Sequence, residues 1–333
     1  MKKSVELPLV DPIFSTYQFH ACGAVAIHNN PSIRNWYLNQ SVILSCNRKF
    51  LNGYTSPGID IDGAKLYDNP HFEKYTYDMQ FTKGYINPII RELIDNGYYV
   101  YFKGIDDYYV EGKSWYQKRH MNHDGLICGY DQNKKTYYIY SYDSNWICRK
   151  YETSQSSFNA GRKSMIANGV DGYICGIKPK KEIVEYDPYA VIDNLSTYLN
   201  STFDNYPING EGRIRGIIVH DYIAIYLDKL YNGLVPYERM DPRVFRLIWE
   251  HKKAMLERIE KMEETLRINN FHSIKYAPIV SVANDMRMMY ASHHAKRRDS
   301  LLPVIQQKLL ELREMENIIL SDFWSESKGA ITK

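Results

Sequence analysis

A thiol, an imidazole and a carboxylate follow one another along this chain in an order that suits attack on a carbonyl. Cys22 lies in FHACGAVAIHN, where small and apolar residues run on from it. If a helix begins at Gly23, Cys22 stands at its N-terminus, where the dipole and free N–H groups favour a thiolate. The same N–H groups can stabilise the oxyanion that forms when the thiolate attacks. A lone cysteine ahead of a helix is more often a buried packing residue, so the reading needs company. His123, in MNHDGLICGYD, stands directly before a strand-like run, and Asp143 closes the next one, TYYIYSYD. On adjacent antiparallel strands the two can face each other. Asp143 would then hold the imidazole in one tautomer while its other nitrogen takes the thiol proton. Singly, His123 reads as a turn residue and Asp143 as a strand-end cap. Together the three read as nucleophile, base and orienting acid.

Other chemistry-bearing residues have plainer readings. His120 and His123 share an HxxH spacing but lack a third ligand of matching context, so no metal is expected. Five cysteines without a CxxC pair indicate neither a zinc site nor a disulfide framework. Cys128 and Cys175 sit inside apolar runs and read as packing residues, and His251 on an apolar stripe reads as a satisfied core histidine. Tyr108, Tyr109, Trp115 and Tyr116 precede His123 and could wall an acyl or amine pocket against water. Lys296, Arg297 and Arg298, beside His293 and His294, form the densest basic cluster. They read as a solvated helix end, or as a dock for an acidic carrier protein.

The elements that must position these residues change character near residue 180. Before it, short runs rich in Tyr, Ile and Val alternate with turns: 98–102, 125–129, 136–140 and 172–177. Residues 125–130 and 136–142, joined at 131–135, read as a β-hairpin. A helix over 87–96, stopped by Gly97, precedes the first strand. After Lys178-Pro179-Lys180-Lys181 the pattern is helical. Asp187-Pro188 and Asp241-Pro242 each pair an N-cap oxygen with a proline that has no N–H to waste. Val244, Ile248, His251, Met255, Ile259, Met262 and Leu266 form one apolar stripe, and Ile305, Leu309, Leu312, Met315 and Ile319 another. Further helices are expected over 219–230 and around 274–291. The expectation is an α+β fold: a catalytic domain over 1–182, then an all-helical domain over 183–333.

Bulk composition excludes several classes. Basic residues number 42 and acidic residues 39, a balance too even for nucleic acid to be the main partner. No run reaches the ~18 apolar residues of a membrane span. Met1-Lys2-Lys3 could open a signal peptide, but Glu6, Pro8 and Asp11 break up any apolar h-region, so a cytoplasmic protein is expected. Thirty tyrosines are unusual. Genome composition explains them more simply than an aromatic cleft does.

Taken as a set, several features resemble the papain-like clan. Within it they are similar to the family of the butirosin biosynthesis protein H N-terminal domain. The features are the cysteine helix, Asp106-Asp107-Tyr108-Tyr109, Trp115-Tyr116, His120, His123 and Gly129-Tyr130-Asp131. The resemblance covers about residues 10–180. The helical remainder, including Arg246-Leu247-Ile248-Trp249-Glu250-His251-Lys252-Lys253, looks like the tail of related proteins in thiotemplated biosynthesis. The resemblance implies a papain-like domain that takes an acyl group from the phosphopantetheine thioester of an acyl or peptidyl carrier protein. The acyl group rests on Cys22 and passes to an amine, with no cofactor held by the enzyme itself. One departure stands out. Papain-like proteases place an oxyanion glutamine about six residues before the cysteine, but position 16 is Thr16, and Gln18 is the nearest glutamine. Either Gln18 reaches the oxyanion hole by a different backbone path, or the backbone N–H of Cys22 acts there with another donor. A cysteine protease or amidase, and a non-catalytic scaffold, remain as alternatives, and association with a second copy stays open.

Overall fold

The structure, a computed structural model, describes residues 2–52, 55–145, 147–203, 212–268 and 271–331. In chain order the N-terminal half runs β1 (Ser4–Glu6), α1 (Gln18–Val25), α2 (Ile33–Gln40), β2 (Leu44–Asn47) and β3 (Asp60–Ile61). It continues through β4 (Phe72–Asp78), α3 (Met79–Thr82), α4 (Ile86–Asp95), β5 (Tyr99–Asp106) and β6 (Asn122–Asp131). Then come β7 (Thr136–Tyr142), β8 (Cys148–Ser154), α5 (Gln155–Ala167) and β9 (Tyr173–Pro179). The remainder is α6 (Pro188–Asn200), β10 (Thr202–Phe203), β11 (Arg213–Arg215), α7 (Val219–Tyr231), α8 (Val244–Leu266), α9 (Phe271–Lys296) and α10 (Leu301–Ile331). No helix among the described residues is long and apolar enough to cross a membrane.

The chain divides into two compact units, Met1–Arg34 with Lys65–Val184, and Asn35–Ala64 with Glu185–Lys333. The sequence implies a single cut between 182 and 183, whereas the second unit also takes residues 35–64. Buried polar groups of α8 explain why. Arg258 Nε donates to Leu38 O at 2.6 Å and its Nη2 to Ser41 O at 2.5 Å, closing the C-terminal carbonyls of α2. His251 Nε2 donates to Val42 O at 2.7 Å. It is buried in the core as its place on the stripe suggests, but only half-satisfied, since Nδ1 has no hydrogen-bond partner among the described residues.

The first unit is a seven-stranded antiparallel sheet ordered β4-β9-β5-β6-β7-β8, with β1 on β6. The hairpin β6–β7 has the expected turn, with Asp131 opposite Thr136 and Leu126 opposite Tyr140. Ile86, Ile90, Leu93 and Ile94 of α4 and Phe158 of α5 pack on Val100, Phe102, Ile105, Ile127 and Ile139 of the sheet. Burying each such side chain contributes about 1.5–3 kcal/mol before entropy is counted. The stop of α4 is as the sequence implies: Gly97 has φ +82° and its N–H reaches Ile94 O at 2.9 Å. Two glycines allow close approach near the site. A Cβ at Gly161 of α5 would meet Asp106 O at 2.9 Å, and one at Gly125 would meet the Phe102 ring at 2.5 Å.

The second unit is helical but not all-helical. It carries a four-stranded sheet ordered β10-β11-β2-β3, half of it from the 35–64 segment. The α8 stripe is buried from Val244 to Met262 as expected. That helix starts at Val244 rather than at Asp241, because the Asp241 carboxylate caps Arg243 N at 2.9 Å in a turn ahead of it. Asp187 does cap α6 as expected, accepting from Tyr189 and Ala190 N–H. On α10 the buried stripe runs Leu302, Ile305, Leu309, Leu312, Glu316, Leu320 and Phe323, leaving Met315 exposed and Ile319 half-buried. The expected stripe missed Glu316 because a carboxylate is buried only where partners neutralise it. Here Lys252 Nζ lies 2.6 Å away, Tyr198 donates at 2.9 Å and Tyr276 at 2.5 Å.

Candidate functional site

Helix α1 begins at Gln18, not at Gly23, so Cys22 sits in its second turn with its own N–H inside the helical ladder. The expected free N–H at Cys22 is therefore spent. Cys22 is fully buried. That burial, together with the neighbouring Cys148 and Asp124, pushes its thiol well above the usual range, while Lys113 acts in the opposite direction. The expectation of a helix-stabilised thiolate is reversed: the resting group is a neutral thiol.

One turn before Cys22, on the same helix face, Gln18 donates from Nε2 to Ser141 Oγ. The Ser141 hydroxyl on β7 also accepts from Lys113 Nζ at 2.6 Å and donates to Asp124 O at 3.0 Å. One donor and two acceptors use its full capacity. Lys113 Nζ in turn lies 3.5 Å from Asp107 Oδ1, both side chains almost completely buried. Asp107 Oδ2 accepts from His123 Nδ1. The connected chain is thus Gln18, Ser141, Lys113, Asp107 and His123. His123 is its one partly open end, with a side chain 25% exposed. With Nδ1–H committed to Asp107, the neutral imidazole presents Nε2 as an acceptor. Among the described residues no hydrogen bond joins Cys22 Sγ to that nitrogen.

The expected partner of His123 is corrected. Asp143 lies just past the end of β7 and folds back onto its own turn. Its Oδ1 accepts from Asn145 N at 2.8 Å and Ile147 N at 3.0 Å, and its Oδ2 meets Arg149 Nε at 2.5 Å. Burial alone would raise this carboxyl, but those N–H groups and Arg149 outweigh it and hold it below the usual range. Strand β6 has two neighbours. The hairpin partner β7 is visible in the sequence, whereas β5 pairs on the other side, with Ile105 opposite His123. Asp107 follows the last residue of β5 and arrives from that side. Its signal was the Asp106-Asp107 pair ahead of the tyrosines. Lys113 and Ser141 had no sequence signal.

A second imidazole–carboxylate pair lies beside the first. His120 Nδ1 donates to Asp106 Oδ2 at 2.7 Å, and Asp106 also accepts from Ser164 Oγ, Tyr108 N and Met121 N. Burial pushes Asp106 up, but these bonds prevail and leave it below the usual range. Tyr108 stacks on His120 at 4.4 Å and Tyr109 lies tilted at 6.1 Å, so these two tyrosines serve His120 directly. Trp115 carries the Arg119 guanidinium over its ring at 5.5 Å, and the Tyr116 hydroxyl accepts from Gln117. In the second unit, Lys296 ends α9 and Arg297 follows with φ +48°, its guanidinium 4.4 Å over Tyr237. Lys296, Arg297 and Arg298 are all exposed. Cys128 and Cys175 are buried in strands. No group of three or more His, Cys, Asp or Glu among the described residues is arranged to hold a metal.

No known protein-family profile matches this chain, and no curated protein matches it significantly.

Proposed function

We propose that this protein is a papain-like, cysteine-dependent acyltransferase that moves an acyl group from a carrier-protein phosphopantetheine thioester, through Cys22, to an amine. The single observation behind this reading is the His123–Asp107 pair, with Nε2 of the imidazole open and Lys113 and Ser141 linking it to the Cys22 helix. An imidazole whose Nδ1–H is fixed by a buried carboxylate is a general base at Nε2. The reaction balances without an external reagent. Cys22 Sγ attacks the thioester carbonyl as its proton passes to His123. The departing pantetheine thiolate takes that proton back, leaving the acyl group on Cys22. The amine then attacks, its proton passes to His123, and His123 returns that proton to the departing Cys22 sulfur, restoring the thiol. Thioester exchange is nearly balanced in bond type, and aminolysis to the amide drives the sequence. Because burial keeps the Cys22 thiol neutral, deprotonation must accompany attack rather than precede it. The resemblance of residues 10–180 to the butirosin biosynthesis protein H family supports the carrier-bound substrate, and Lys296, Arg297 and Arg298 would suit an acidic carrier.

The test is intact-protein mass spectrometry after mixing with an acyl-loaded carrier. An acyl adduct on the wild type that disappears in Cys22→Ala is expected. An adduct that survives Cys22→Ala removes Cys22 as nucleophile. Turnover of peptides with no carrier would favour a protease or amidase instead. A second reading, a non-catalytic scaffold, draws on the burial of Cys22 and the upward shift of its thiol. It requires that no adduct form at all.

A further inference from the structure

Lys113 is nearly fully buried on a loop between β5 and β6, where an ammonium without a partner would cost several kcal/mol. Its two partners divide the site between them. Ser141 Oγ, at 2.6 Å, also receives the amide of Gln18, one helical turn from Cys22. Asp107 Oδ1, at 3.5 Å, belongs to the carboxylate whose other oxygen holds His123. We propose that Lys113 is a positioning residue of this site: its ammonium, braced between Ser141 and Asp107, aims the carboxylate at His123 and supplies the counter-charge for a thiolate at Cys22. The proposal rests on the acyl-transfer reading for its purpose but not for its geometry.

The surrounding charges fit that role. Facing Lys113 are Asp107 after β5, Cys22 on α1, Cys148 at the start of β8 and Asp124 on β6, with Tyr151 of β8 beside Asp107. Lys113 draws the Cys22 thiol down against burial, the largest opposing effect, and against the Asp124 carboxylate. Removing it leaves burial and the Asp124 carboxylate unopposed by that ammonium. Coulomb attraction at low dielectric makes one such cation significant.

The experiment measures the rate of Cys22 alkylation by iodoacetamide against pH in the full-length chain, with the adduct located by peptide mass spectrometry. Lys113→Met is expected to displace the rate–pH curve to higher pH, lowering the rate roughly tenfold at a fixed pH on its rising limb, which is one pH unit of displacement. Lys113→Arg is expected to retain most of the wild-type curve. A purely structural lysine would alter the plateau rate through exposure and leave the midpoint in place, and a folded Lys113→Met with an unmoved midpoint overturns the proposal. If Lys113→Met does not fold, Ser141→Ala decides. It removes the brace but no charge, and it should displace the curve in the same direction by less. No displacement there is equally fatal. Iodoacetamide needs neither carrier nor amine, so a displaced curve without an acyl adduct would keep Lys113 and discard the transferase.

Discussion

Each unit buries a polar network, and the two are built to opposite ends. In the helical unit, Glu316 takes Lys252, Tyr198 and Tyr276, with His220 Nε2 at 3.8 Å, and the Lys252, Glu316 and His220 side chains have no solvent exposure. Burial also drives His220 down to about 3, so it is a neutral, purely structural ring. In the sheet unit the network is equally connected but ends in His123, whose ring reaches solvent and keeps one nitrogen uncommitted. A cluster of titratable groups is therefore not a site by itself. What distinguishes a reactive network from a structural one is an unsatisfied end that a substrate can reach.

Exchanging the damage between the two networks is the strongest way to break this contrast. His123→Ala is expected to reduce acyl transfer by about two to four orders of magnitude while the unfolding midpoint in urea barely moves. Glu316→Ala is expected to do the reverse, costing about 3–5 kcal/mol because Lys252 is left buried and unpaired, with the rate of Cys22 alkylation unchanged. If Glu316→Ala alters catalysis as much as stability, the two networks are not separable. The double change Lys252→Met with Glu316→Leu should recover much of the lost stability, since apolar replacement of a buried pair is often near neutral.

The contrast sharpens inside the sheet unit, where two carboxylates competed for the same histidine. Asp107→Asn should lower the transfer rate by orders of magnitude through loss of the tautomer-fixing acceptor. Asp143→Asn should act mainly on stability, through the turn and Arg149. Rates of the two variants under one set of conditions decide the matter, and the greater loss in Asp143→Asn would restore the hairpin partner as the orienting acid.

The smallest expected effect is on acid sensitivity. Asp106 and Asp143 are held below the usual carboxylate range, and so is Glu316, where burial pushes upward but the Lys252 ammonium and the Tyr276 hydroxyl prevail. A carboxyl depressed on folding contributes stability that is complete above its unfolded value of about 4 and is lost as pH falls through the folded one. Asp106→Asn should therefore narrow the gap to wild type as pH drops from about 5 to about 3. Urea titrations across that range measure it. A gap that widens toward acid would mean that Asp106 is not stabilised as the ion.

How far the sequence reached depends on the kind of contact involved. The helix stop at Gly97, the Asp187 cap, the β6–β7 hairpin and the α8 stripe were legible because each is set by residues a few positions apart, through φ, capping geometry or period. The Cys22 helix was misplaced at its start because Gln18, Phe19 and His20 give no capping signal, and packing rather than a cap decides where α1 begins.

Local chemistry thus determined the identities of the elements and put Cys22 and His123 forward as candidates. Three things awaited the tertiary structure: the neighbour of β6 that supplies the acid, the assignment of residues 35–64 to the helical unit, and the burial of Glu316 and Lys113. The reason is common to all three. Sheet order, a segment's allegiance and the tolerance of a buried charge are fixed by partners remote in the chain, and those partners leave no periodic or nearest-neighbour trace. Asp107 is recognisable as His123's acceptor only once β5 lies beside β6, and Lys113 as a counter-ion only once Ser141 and Asp107 close around it.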